Sequence, residues 1–267
     1  MAFEEINMNS HTTATEAITL ARQLHSLRRD GKQVPTEQLV SVPTSPESAM
    51  DVQRALSKLE GADIPAWKVA KSPGGAPVAA PLYPYWDNPD GAALTWRSGL
   101  KIEVEIAVKL SNDLPVQADA LYGRADIEAA ISDAYLGTEL VWSGISEGGS
   151  VSFLAFLADR LGNMGYVKGP ALPLAVLRPG SNFPLRIQLD AQVMFDADAQ
   201  HPAGDPLTWL CDYANDRTRP AASLNAGSIV TTGSLCGALD VAAPGNIGIK
   251  LGALAVMNIA LSSTGRL

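Results

Sequence analysis

Histidine and cysteine are scarce in this chain, with three of the former and two of the latter among 267 residues. Any histidine base must be His11, His25 or His201, and the first two fall in or before an N-terminal helical stretch. Cys211 and Cys236 show no CxxC spacing, so a zinc ribbon or disulfide framework is excluded and two free structural thiols are expected. Basic residues are also few, 20 Lys and Arg against 28 Asp and Glu, for a net charge of -8. That balance excludes a nucleic-acid partner, which needs clustered cations. No apolar run reaches the roughly 18 residues of a membrane span. The opening MAFEEINMNSHTTATEA is acidic and lacks an apolar h-region, so a cytoplasmic protein with no membrane partner is expected. There is no internal repeat and no low-complexity tract.

What remains is ample for a packed core, since 46% of residues are hydrophobic and only 18% charged. Residues 14–29 carry apolar positions at helical spacing and stop at Asp30-Gly31. A second helix opens at Ser45-Pro46-Glu47, with a cap, a first-position proline and a first-turn acid, and closes near Gly61. IPAWKVAKS reads as a strand, and Pro73 to Asp90, with its prolines and Gly74-Gly75, reads as a loop. From Leu94 onward short strands alternate with helices expected near 126–136, 152–162 and 205–216, the last opening at Asp205-Pro206. RIQLDAQVMF at 186–195 alternates as one strand, and SIVTTGSL, NIGIKLG and AVMNIAL complete a strand-rich end. The pattern is α+β and not doubly wound.

The stretch with the most chemistry is KIEVEIAVK, residues 101–109. On a strand Glu103 and Glu105 share one face, with α-carbons about 7 Å apart. Such alternation describes any strand with one wet face, and equally a pair of carboxylates gripping a hard cation. Glu139, the sole charge in TELVWS, is costly as an isolated buried carboxylate. With Glu103 and Glu105 it would make a hard-cation site with open positions for a bidentate ligand. Lys68 and Lys71 lie on opposite sides of their strand, so at least one points toward the protein. Gly144-Ile145-Ser146-Glu147-Gly148 fits G-x-S-x-G, either a nucleophile elbow whose base would be His201 or a glycine-rich turn.

Several segments, in order, resemble the 2-keto-4-pentenoate hydratases and 4-oxalocrotonate decarboxylases of the fumarylacetoacetate hydrolase superfamily. They are ARQLHSLRRDG, AWKVAKS, KIEVEIAVKLSNDLP, TELVWSG, FLADRLGNMGYVKG, GDPLTWLCDYAN and SIVTTGSL. The resemblance implies a mixed β-roll, residues 94–267, preceded by a smaller N-terminal α/β region, residues 1–93, and a homo-oligomer. It implies Mg²⁺ or Mn²⁺ on Glu103, Glu105 and Glu139, catalytic roles for Lys68 and Asp159, and substrate contacts from Thr232, Gly233 and Ser234. The activity implied is a hydratase adding water to a small 2-hydroxy-2,4-dienoate or 2-oxo-enoate in aromatic-compound degradation. A vinylogous 2-oxo acid decarboxylase is its nearest rival, and a catalytically silent partner subunit is another. The chain also departs from the family pattern. Ala70 replaces a usual glycine, V-D-S-R becomes Val141-Trp142-Ser143-Gly144, and an acidic element is replaced by Ala79-Ala80-Pro81-Leu82-Tyr83-Pro84. These changes leave the metal ligands intact and alter the groups that handle protons.

Overall fold

The computed structural model of the chain describes residues 2–87 and 93–263, so the end of the stretch expected to run to Asp90 lies outside the described residues. The α-helices are α1 (Ala2–Asp30), α2 (Pro46–Leu59), α3 (Arg124–Ala129), α4 (Phe153–Ala158) and α5 (Thr208–Ala214). The strands are β1 (Ala66–Lys71), β2 (Pro77–Leu82), β3 (Tyr85–Asp87), β4 (Ala93–Thr95), β5 (Lys101–Leu110), β6 (Ile131–Val141) and β7 (Asn163–Leu172). They continue as β8 (Asn182–Leu189), β9 (Gln192–Gln200), β10 (Ile229–Ser234), β11 (Leu239–Asp240), β12 (Gly245–Leu251) and β13 (Ala255–Ser262). Two units result, one made of Met1–Asp63 with Trp142–Met164, the other of Ile64–Val141 with Gly165–Leu267.

The first unit is helical. Its α1 and α2 lie against each other, with Leu20, Leu24, Val52 and Leu56 buried, and each such side chain contributes about 1.5–3 kcal/mol of apolar burial. The start of α2 follows its sequence. Ser45 Oγ accepts from the Ser48 backbone N–H, the Ser48 hydroxyl accepts from the Ser45 N–H, and Pro46 occupies the first turn. The helix expected over 152–162 is shortened to α4, because Arg160 and Leu161 adopt left-handed φ values of 57° and 52°.

The second unit holds the sheets. One has the order β2-β1-β10-β5-β6-β7-β3 with β11 also on β5; the other runs β4-β13-β12-β8-β9. β5 is central, paired antiparallel to β10 on one side and to β6 on the other. Ile102, Val104, Ile106 and Val108 fill one face, yet Glu105 and Ala107 on the opposite face are buried as well. The wet-face reading of KIEVEIAVK therefore fails at the middle of the strand, and only Lys101, Glu103 and Lys109 on that face are partly exposed.

Four local expectations are corrected here. The helix over 126–136 ends at Ala129, and 131–141 is a strand, because β6 pairs with β5 from Lys101↔Val141 to Leu110↔Ile131. That ladder, with Leu136 and Leu140 buried, outweighs the local helix preference of Ala and Leu. The loop from Pro73 contains β2 and β3. Pro77 and Pro81 are admitted because β2 is an edge strand, where a missing N–H costs no ladder bond on the outer side. RIQLDAQVMF is a hairpin of β8 and β9, turned at Asp190, whose φ of 49° suits an aspartate. The 205–216 helix begins later, at Thr208, because Asp205 Oδ1 accepts from the Leu207 N–H and closes a turn first.

Candidate metal centre

Strand pairing assembles the acidic group. Glu103 stands opposite Glu139 and Glu105 opposite Gly137 on the β5–β6 ladder, so the three carboxylates share one face. One oxygen from each lies within 4.8 Å of the others. Lys68 enters from β1: its Nζ is 2.8 Å from Glu139 Oε2 and 3.6 Å from Glu103 Oε2. Lys71, on the other side of β1, pairs with Asp212 at 2.7 Å.

Burial sets the electrostatics. Glu139 is fully buried and Glu105 only 2% exposed. Burial pushes the Glu105 carboxyl well above its ordinary range, and the neighbouring Glu139 charge adds to this more than Lys68 relieves it. For Lys68 burial acts to lower the ammonium's pKa, but Glu139, Glu103 and Glu105 outweigh it and raise it. Lys68 is thus an ammonium while those carboxylates carry their charge, suited to holding an anion. One ammonium among three carboxylates leaves negative charge uncompensated, and Glu105 Oε2 has no hydrogen-bond donor among the described residues. Three hard oxygen donors around an uncompensated buried charge fit a divalent cation of the magnesium or manganese kind.

The other sequence candidates occupy varied positions. Thr232, Gly233 and Ser234 lie on β10, where Ser234 pairs with Glu105 across the ladder. The Thr232 hydroxyl donates to the Ile106 carbonyl at 3.0 Å, and the Ser234 hydroxyl donates to the Gly237 carbonyl at 3.0 Å. Gly233, at φ 129°, has Trp209 and His201 packed where a Cβ would stand. Asp159 belongs to the helical unit and is fully buried. Its Oδ1 accepts from Arg28 Nε at 2.7 Å, and its Oδ2 accepts from the Ser143 hydroxyl at 2.6 Å and the Gly144 N–H at 3.0 Å.

The elbow reading of residues 144–148 does not hold. The Ser146 hydroxyl donates to Glu147, and the segment continues as a single turn, Gly148–Ser150, and not as the helix an elbow requires. His201 is also committed. Its Nδ1 accepts from the Ala203 N–H at 3.1 Å, which leaves Nε2 as the protonated nitrogen donating to the Thr232 carbonyl at 2.5 Å. Burial lowers its pKa, so the ring is a neutral packing element beside Trp209. Cys211 and Cys236 are free, as expected.

One residue on this face was not anticipated. Tyr166, on β7, is fully buried with its hydroxyl directly over Gly137. The signal in the sequence was the glycine: a Cβ at 137 would meet that oxygen at 1.7 Å.

No family model matches the chain, and no curated protein matches it in sequence. Solved structures do resemble it. A 4-oxalocrotonate decarboxylase from Pseudomonas putida G7, complexed with magnesium and adipate, superposes with a TM-score of 0.74 at 18% identity, over 93% of this chain and 98% of that one. A fumarylpyruvate hydrolase from Pseudomonas aeruginosa, in complex with Mn²⁺ and pyruvate, gives 0.52 at 12% identity over 74% and 89%. A 2-hydroxyhepta-2,4-diene-1,7-dioate isomerase from Mycobacterium marinum gives 0.51 at 15% identity over 75% and 75%. At these identities the likeness establishes the fold, and the α+β architecture of the fumarylacetoacetate hydrolase type read from the sequence is the one these structures share. Among the described residues no helix is long and apolar enough to cross a membrane.

Proposed function

We propose that this chain is a divalent-metal-dependent lyase acting on a small 2-oxo acid, and that decarboxylation of a vinylogous 2-oxo acid is its reaction. The observation that carries the metal-dependent reading is the group of half-buried Glu103 with buried Glu105 and Glu139, with one ammonium among them in the described residues. Those three residues would hold Mg²⁺ or Mn²⁺, which as a Lewis acid would stabilise the negative charge that grows on the substrate's 2-oxygen. Lys68, whose Nζ lies beside Glu103 and Glu139, binds and orients the substrate carboxylate. The Ser234 segment, level with Glu105, lines the same end.

Decarboxylation is preferred to hydration because of what the site's groups are free to do. Breaking the bond to the departing carboxylate sends its electron pair through the double bond to the 2-oxygen, so charge stabilisation suffices and CO₂ leaves without a base. One proton then returns to carbon. Adding water requires a base to activate it. His201 has both ring nitrogens engaged and Asp159 has both oxygens engaged, so neither is free to act as that base. We therefore assign Asp159 a positioning role in its own unit, gripping Arg28, Ser143 and Gly144. The likeness to the decarboxylase fold over 93% of the chain agrees with this choice. Hydration of a 2-hydroxy-2,4-dienoate is the second reading, favoured by Lys68, whose Nζ beside Glu103 and Glu139 is placed to relay a proton once a metal takes up their charge. The acidic chain is expected to work as a cytoplasmic homo-oligomer.

The test incubates the protein with Mn²⁺ and either a vinylogous 2-oxo diacid or 2-hydroxypenta-2,4-dienoate, with and without chelator, beside Glu105→Gln. Metal-dependent CO₂ release that Glu105→Gln abolishes is expected. Formation of a 4-hydroxy-2-oxo acid instead establishes the hydratase. Neither product, with Mn²⁺ still bound, overturns both readings and favours a silent partner subunit.

A further inference from the structure

Tyr166 presents a buried phenol whose oxygen has no hydrogen-bond partner among the described residues. A buried hydroxyl left unpaired is destabilising, and phenylalanine would fill the same space without that penalty. The surroundings nonetheless hold the hydroxyl in one place. On one side the Tyr166 N–H donates to the Pro84 carbonyl at 2.9 Å, and the Tyr85 ring, its register partner on β3, stacks with centroids 6.1 Å apart. Behind it Trp86 packs where Gly165, at φ 157°, has no side chain. On the other side Gly137 leaves the space the oxygen occupies.

Gly137 is the ladder partner of Glu105, whose Oε2 is likewise buried and without a donor. An orphan donor and an orphan acceptor thus sit on one face, beside each other in register and not bonded to each other. Such a pair is satisfied by a ligand that accepts from the phenol and shares a cation with the carboxylate.

We propose, resting on the function above, that the Tyr166 hydroxyl donates a hydrogen bond to an oxygen of the substrate's 2-oxo acid group, and that Gly137 is the positioning residue that admits it. A neutral donor fixed in a dry site gains strength as negative charge develops on the oxygen it faces, so Tyr166 acts in the transition state more than in the bound substrate. Burial, with the Glu105 and Glu139 charges, holds the phenol far above its usual range, so it stays protonated and able to donate.

The probe is oxalate, a planar dianion resembling the 2-oxo acid end after charge has moved to oxygen, titrated into Mn²⁺-loaded protein and read by the Mn²⁺ electron paramagnetic resonance spectrum. In Tyr166→Phe the Mn²⁺ affinity is expected to be unchanged and oxalate affinity to fall about tenfold, with thermal stability equal to or above wild type. Gly137→Ala displaces the hydroxyl and should lose oxalate similarly, and the double variant should lose no more than either single one. A purely structural tyrosine would move the melting temperature and leave oxalate binding alone. Equal oxalate affinity in wild type and Tyr166→Phe, or no oxalate binding by Mn²⁺-loaded wild type, overturns the assignment of Tyr166 while leaving the metal site standing. Failure of wild type to bind Mn²⁺ overturns the proposed function and this assignment with it.

Discussion

Each unit of this protein buries a charged group, and the two are built to opposite rules. In the helical unit Arg28 and Asp159 form a one-to-one pair, and the arginine's remaining donors reach the Asn163 and Asp159 carbonyls at 2.6 and 2.8 Å. Ser143 and Gly144 complete the carboxylate. Charges cancel and both carboxylate oxygens are hydrogen-bonded, the arrangement of a structural clasp. In the sheet unit, among the described residues, three carboxylates share one lysine, and oxygens of Glu105 and Tyr166 go without hydrogen-bond partners. An arrangement that is unfavourable by itself persists where a ligand completes it. Satisfaction of the polar atoms, and not burial or charge alone, separates scaffold from site.

Breaking each group should have opposite consequences. The largest effect on folding is expected from Arg28→Ala, which leaves Asp159 as a buried unpaired charge and should cost about 3–5 kcal/mol, measured by urea denaturation. Glu105→Gln should do the reverse: removing one of three crowded carboxylates leaves the metal-free protein as stable as wild type or more so, while activity falls below detection. A loss of stability comparable to Arg28→Ala would show that Glu105 is scaffold as well.

Metal should stabilise the wild type by about 2.7 kcal/mol at a hundred times its dissociation constant, seen as a raised melting temperature reversed by chelator. Glu105→Gln should not respond. Ser146→Ala should leave activity within twofold of wild type, since its exposed hydroxyl donates to the neighbouring Glu147; an esterase activity lost in that variant would revive the hydrolase reading.

The smallest effect concerns pH. Hydrogen bonds from the Thr36 backbone and hydroxyl hold the exposed Glu147 carboxyl down at about 2, below its ordinary 4.5. Because the folded value is depressed, its contribution is present above pH 4.5 and fades as pH falls toward 2. Glu147→Gln should flatten the acid limb of the stability curve slightly.

Much of this was legible in the residues. Ser45-Pro46 marks a helix start because the capping chemistry is local, and Glu103, Glu105 and Glu139 announce themselves as charges inside apolar runs. The strand at 131–141 was hidden because Ala, Leu and Glu favour helix locally, and only pairing with β5 decides otherwise. β2 was hidden by its prolines, which an edge strand tolerates. The clasp role of Asp159 depends on Arg28, 131 residues away in sequence, so no local pattern reveals it. Tyr166 is legible only together with Gly137, a contact between neighbouring strands that spacing along the chain does not encode.

The most direct test of the central claim is direct titration of Mn²⁺ into metal-free wild type, Glu105→Gln and Asp159→Asn, with folding of each confirmed by circular dichroism. One Mn²⁺ per chain in wild type, retained by folded Asp159→Asn and lost by Glu105→Gln, is the predicted result. Equal binding by wild type and Glu105→Gln, or no binding by either, would contradict the assignment of the three glutamates as a metal centre.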